Sequence, residues 1–154
     1  MVNLRVLIVE DDPYFAIALE DMLADAGVVV VGRTGLVAAA LQIVKTQTVD
    51  VACLDIDLGP ENSFPVADEL AARNIPFIFL TGRDAKSVPP RHHDRPFLSK
   101  SATLSGLVPA CLGAASSILP LRDPVKADLP AMREGSAGAH ALQRDMKGRG
   151  RCRC

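Results

Sequence analysis

No stretch of the chain approaches the ~18 consecutive apolar residues that a membrane-spanning helix needs, so no span is expected. Nor is a secretory leader expected. MVNLRVLIVEDD puts Arg5 and then three carboxylates where a leader would carry its apolar core, and the expected location is the cytoplasm. Cysteines are too few and too scattered for a disulfide framework: Cys53 and Cys111 sit in apolar runs and read as small buried hydrophobes, and Cys152 and Cys154 close the chain as RCRC. A lone C-x-C is no zinc site, which takes about four ligands. At 154 residues there is no room for two ordinary domains, and 49% apolar against 23% charged residues suits one domain with a core and a tail.

Net charge is nearly absent too, at −1, but the balance hides a division. Residues 1–116 carry 9 Lys and Arg against 14 Asp and Glu, whereas residues 117–154 carry 8 against 4. The body is acidic and the tail basic. The tail is rich in proline and glycine, has few large apolar residues after Met132, and is expected to be disordered. Its GRGRCRC end reads as a solvated extension, and neither nucleic acid nor a membrane is an expected partner.

The body alternates between two hydrophobic periods. Runs of strand length occur at 4–9, 28–32, 51–55, 77–81 and 96–99, each β-branched or aliphatic. Between and after them, apolar stripes of helical spacing run through Ala16–Ala26, Val37–Val44, Val66–Ala71 and Leu104–Leu112. Continuous apolar strands imply a parallel sheet covered on both faces. Pro13 suits a first helical turn behind an Asp12 cap, and Gly27 and Asn74 suit helix ends. Pro89 and Pro90 forbid a long helix between the fourth and fifth strands, so any helix there is short or irregular, over about 83–88. The expected architecture is an α/β doubly wound domain with a five-stranded parallel sheet in the flavodoxin-like order 2-1-3-4-5.

In such sheets the working site lies beyond the strand C-termini, at the switch point between the first and third strands. That rule gathers Glu10, Asp11 and Asp12 with Asp55 and Asp57, and adds Thr81 and Lys100 from the last two strand ends. Crowded carboxylates repel unless a divalent cation neutralises them, and an all-oxygen set suits Mg²⁺. Phosphoryl transfer asks mainly for positioning and charge neutralisation, so Asp55 as nucleophile, Mg²⁺, Lys100 and Thr81 form a sufficient apparatus. His92 and His93, in the proline-rich loop, are expected to be solvated, and Phe97 reads equally well as a core residue or a moving one.

VLIVEDDP, VACLDIDLG, FIFLTG and PFLSK, in this order and at these intervals, resemble the receiver domains of bacterial two-component response regulators, over about residues 3–116. The stretch ending PFIFLTG is further similar to single-domain receivers of the alphaproteobacterial PFxFATG type, with Leu80 in place of their alanine. The resemblance implies a phosphoprotein switch rather than an enzyme, with self-dephosphorylation only. Asp55 would accept the phosphoryl group from a sensor histidine kinase or histidine phosphotransfer protein. Mg²⁺ would be bound by Glu10, Asp11, Asp55 and the backbone carbonyl of Asp57. Thr81 and Lys100 would contact the phosphoryl group, and Phe97 would be the aromatic that changes rotamer. Such receivers usually carry proline directly after the lysine; here Ser101 follows, so the peptide is expected to be trans and Lys100 looser.

Residues 117–154 hold no length or periodicity for an output domain, so output would pass through binding to a downstream protein. Two other readings are a degenerate receiver acting as a constitutive binding module and, from Asp55-Ile-Asp57, an aspartyl-phosphate phosphatase. Asp57 and Arg83, each two positions beyond a site residue, are expected to overhang the mouth and set the lifetime of the phosphorylated state.

Overall fold

The structure, a computed structural model, describes residues 3–82 and 85–116. The tail at 117–154 and Arg83 of the expected gating pair therefore lie outside the described residues. The chain runs β1 (Arg5–Val9), α1 (Pro13–Asp25), β2 (Val29–Thr34), α2 (Val37–Thr46), β3 (Val51–Asp55), a two-residue pair β4 (Asp57–Leu58) and β5 (Glu61–Asn62), α3 (Phe64–Ala72), β6 (Phe77–Thr81), β7 (Phe97–Ser99) and α4 (Thr103–Ser116).

The main sheet has the order β2-β1-β3-β6-β7, with every pairing parallel. In terms of its five strands this is the expected order 2-1-3-4-5. Strand side chains alternate between two cores, as the period of two requires. Leu7, Val9, Ala52, Leu54, Phe77 and Phe79 pack with α2 and α3 on one face. Val6, Ile8, Val51, Cys53, Ile78 and Leu80 pack with α1 and α4 on the other. All five residues of β3 are buried, which explains why its run is continuously apolar up to Asp55.

Local chemistry sets the helix ends much as the sequence implies. Asp12 caps α1, its Oδ1 accepting from the amides of Tyr14 and Phe15 at 3.0 and 3.3 Å, and Pro13 opens the helix. Gly27 and Asn74, at φ 78° and 56°, end the turns after α1 and α3 in the left-handed region.

Two expectations are corrected, and a third is met. The second strand runs on to Thr34 rather than stopping at Gly32, because Gly32 serves close packing and not termination: a Cβ there would meet Ile43 Cδ1 of α2 at 2.7 Å. Between β6 and β7 the described residues form two 3-10 turns, Ala85–Ser87 and Pro90–His92, the short and irregular helical structure that the prolines imply. And His92 is not solvated. It is 2% exposed, its ring set edge-on to Phe77 and Phe79 with centroids 5.5 and 6.1 Å away. Its Nε2 lies 2.7 Å from Asp68 Oδ1 on α3; a carboxylate only accepts, so Nε2 carries the proton. Arg91 grips the same carboxylate at 2.7 and 3.0 Å and, with smaller help from His92, holds Asp68 below the usual carboxylate range. His93 remains exposed, with Nε2 2.7 Å from the Val88 carbonyl.

Candidate functional site

Strand register assembles the site. Val9 pairs with Leu54, so the next residues along, Glu10 and Asp55, emerge side by side where β1 and β3 end. Asp55 pairs with Leu80, and Thr81 pairs with Ser99, which brings the ends of β6 and β7 to the same edge. One carboxylate oxygen from each of Glu10, Asp11 and Asp55 lies within 4.8 Å of the other two. Glu10 and Asp55 are buried, at 3% and 5% exposure, while Asp11 is open to solvent.

Lys100 crosses the sheet edge to this group. Its Nζ donates to Asp55 Oδ2 at 3.0 Å and stands 2.9 Å from Glu10 Oε2. Burial pulls the Lys100 pKa down, but its ion pairs with Glu10 and Asp55 outweigh this and the net shift is upward, so the ammonium stays charged. The Lys100–Ser101 peptide is trans, as expected, yet the side chain reaches the carboxylates without a cis bond. Thr81, half-buried at the end of β6, faces the same edge through its pairing with Ser99. Asp57 is exposed on β4, opposite Asn62 of β5. Phe97 is half-buried and stacked on Phe79, with centroids 5.4 Å apart and ring planes at 25°.

Whether these residues suit a metal ion can be judged from Glu10. Its Oε1 accepts from the Asp12 amide at 3.0 Å. Its Oε2 is fully buried and has Lys100 near it as an ion pair, but the contact is off the hydrogen-bonding direction and the oxygen is left without a bond. A buried, unsatisfied carboxylate oxygen within an all-oxygen cluster suits a hard cation such as Mg²⁺. Burial pushes the Glu10 carboxyl up to about 7, against the opposing pull of Lys100 and the Asp12 amide, and the Asp55 charge adds to the rise.

The sign of that shift makes a prediction. A folded pKa of about 7, above the ordinary 4.5, means that Glu10 contributes stability below pH 4.5 that is lost as pH rises through 7 in the metal-free protein. A Mg²⁺ ion taken up through this carboxylate would displace the same proton, so its affinity should climb across this window, being roughly tenfold weaker at pH 6 than at pH 8. Calorimetric Mg²⁺ titrations at the two pH values check this, and Glu10→Gln should flatten the profile. Equal wild-type affinities at both would contradict it.

Two residues around the site gave no functional signal in the sequence. Gly35, after β2, lets the following loop press against Asp11, where a Cβ would come 2.6 Å from the Asp11 Cα; the TG pair at the strand end was its only trace. Phe15, in the first turn of α1, holds its ring 4.9 Å from Lys100 Nζ, though its spacing marks it only as a helix residue.

A doubly wound sheet with an acidic cluster at its switch point, faced by a lysine from the turn after β7, defines a receiver. The chain belongs to the response regulator receiver domain family, whose sequence model matches residues 6–103. Among solved structures it is similar to SdrG from Sphingomonas melonis Fr1, with 44% identity and a TM-score of 0.65, covering 75% of this chain and 98% of that one. It is also similar to the BeF3-activated conformation of SdrG from Pseudomonas melonis Fr1, with 46% identity, a TM-score of 0.61, and coverage of 74% and 98%. The receiver domain of the response regulator NarL from Mycobacterium tuberculosis matches at 26% identity and a TM-score of 0.64, covering 75% and 98%. No curated protein matches the chain.

Proposed function

We propose that the protein is a stand-alone receiver in a cytoplasmic phosphorelay, accepting a phosphoryl group on Asp55 from a sensor histidine kinase or histidine phosphotransfer protein. Glu10, Asp11, Asp55 and the Asp57 backbone carbonyl would hold Mg²⁺, which when bound would neutralise the crowded carboxylates and the charge of the incoming phosphoryl group. A carboxylate oxygen of Asp55 attacks phosphorus as the bond to the donor's histidine nitrogen breaks, and that nitrogen keeps the electron pair. Lys100 turns its ammonium from the carboxylates to the equatorial phosphoryl oxygens, and Thr81 donates its hydroxyl hydrogen to another. Output is binding to a downstream protein, with Phe97 as the moving aromatic, and Asp57 with Arg83 limits the approach of the hydrolytic water.

The observation that carries this reading is the meeting of three carboxylates within 4.8 Å with a lysine 3.0 Å from Asp55. The BeF3-activated conformation described for SdrG supports it by kinship. Wild type incubated with acetyl phosphate should gain the mass of one phosphoryl group only when Mg²⁺ is present, and Asp55→Asn should gain none. A wild type that stays unlabelled with Mg²⁺ would favour a constitutive binding module instead, and sustained phosphate-ester turnover would favour a phosphatase.

A further inference from the structure

Lys100 has no proline behind it to fix its direction, and the turn that carries it is built differently. Residues Lys100–Ala102 form a single 3-10 turn with a trans peptide after the lysine. Ser99 Oγ lies 3.0 Å from Ser101 Oγ and accepts from the Ala102 amide at 3.2 Å, so hydroxyls on either side of Lys100 tie its backbone down. The four-carbon stem beyond is flexible, and something must hold the ammonium at its end.

Among the described residues the ammonium has close neighbours in Glu10, Asp55 and the ring of Phe15, 4.9 Å from Nζ to centroid. The first two are the carboxylates assigned to the metal and the phosphoryl group, and their attraction for Lys100 falls when that role is filled. The ring's does not. Phe15 is well placed for this, because its amide donates to the Asp12 cap at 3.3 Å in the rigid first turn of α1. Its half-buried ring also packs against the α1 and α4 core. An aromatic face attracts an ammonium through its quadrupole, which an aliphatic side chain of similar size cannot do.

We infer that Phe15 is a positioning residue for phosphoryl transfer, its ring face keeping the Lys100 ammonium over the site while the carboxylates are engaged elsewhere. This rests on the assignment of Asp55 as phosphoacceptor. The test compares wild type with Phe15→Leu, Phe15→Trp, Lys100→Ala and the double variant Phe15→Leu/Lys100→Ala, labelled with acetyl phosphate. Phe15→Leu should slow the labelling rate about 3- to 10-fold, and Phe15→Trp should keep it near wild type. Mg²⁺ affinity should be unchanged in both. In the Lys100→Ala background Phe15→Leu should cost nothing further, because the ring acts through the ammonium.

A second readout needs neither metal nor donor. In the metal-free protein the Lys100 ε-methylene protons should be shifted upfield by the ring current and return toward ordinary lysine values in Phe15→Leu. A rate loss that persists without Lys100, or a Phe15→Trp variant as slow as Phe15→Leu, would overturn the inference, as would lysine resonances that ignore the substitution. Failure of the wild type to label sinks the phosphoacceptor assignment itself and the positioning role with it; the ring-current shift then still reports whether the ring and ammonium meet.

Discussion

Asp11→Ala should carry no phosphoryl group on Asp55 and show no Mg²⁺ binding, while folding as well as the wild type or slightly better. The two halves of this expectation come from one geometry. Asp11 places a carboxylate oxygen within 4.8 Å of its counterparts on Glu10 and Asp55, so it would be a ligand to a bound cation and is a like-charge neighbour without one. Because Asp11 is exposed, solvent screens that repulsion, and its removal should stabilise the metal-free protein by no more than ~1 kcal/mol. Metal-free urea unfolding and intact-mass labelling with Mg²⁺ separate the effects. A variant that labels normally would remove Asp11 from the metal site, and one that unfolds far more easily would make it a structural residue.

The second large effect lies away from the site, at His92. His92→Ala should destabilise the protein by about 2–4 kcal/mol in urea unfolding, because it empties a buried ring position and strips two edge-to-face contacts from Phe77 and Phe79. Asp68→Asn should cost far less, under ~1 kcal/mol, since Asp68 is close to half exposed and its pair with Arg91 is screened. His92→Phe separates ring from hydrogen bond: it keeps the aromatic volume, abandons Asp68, and should recover more than half of the loss. Recovery of none would assign the stability to the Asp68 bond. Phe79 is also the ring on which Phe97 stacks, so a loosened His92 should be felt at the end of β7.

How much of this was legible in the sequence depended on what kind of signal each residue gave. Strand order and site location follow from continuous apolar runs ending in charge, and β3, buried throughout and closed by Asp55, is the clearest case. Asp12 was readable because a cap is a local device that needs only its own helix. His92 was not, because its environment is assembled from α3 and β6, 24 and 15 positions upstream, and the prolines beside it spoke only for a loop. The β4–β5 pair was missed for a related reason: two residues a side leave no alternation to detect, and Gly59 at φ 77° closes a turn that reads like any other glycine. Phe15 met Lys100 through tertiary proximity that no spacing in either segment encodes.

The thiols of Cys53 on β3 and Cys111 on α4 lie 3.5 Å apart in the core, and the Cys53 thiol is pushed well above its usual pKa by its neighbour and by burial. Both residues are fully buried, so thiol reagents reach the pair only when helix and strand part. α4 is weakened along its own length: Pro109 interrupts its backbone ladder, and Gly106 and Gly113 weaken it further. The buried sulfur pair thus acts as a gauge fitted inside the molecule. Its rate of alkylation, followed by peptide mapping at these two positions, measures how often α4 lifts from the sheet, and comparing that rate before and after incubation with a phosphoryl donor would show whether any phosphorylation is accompanied by opening between α4 and the sheet.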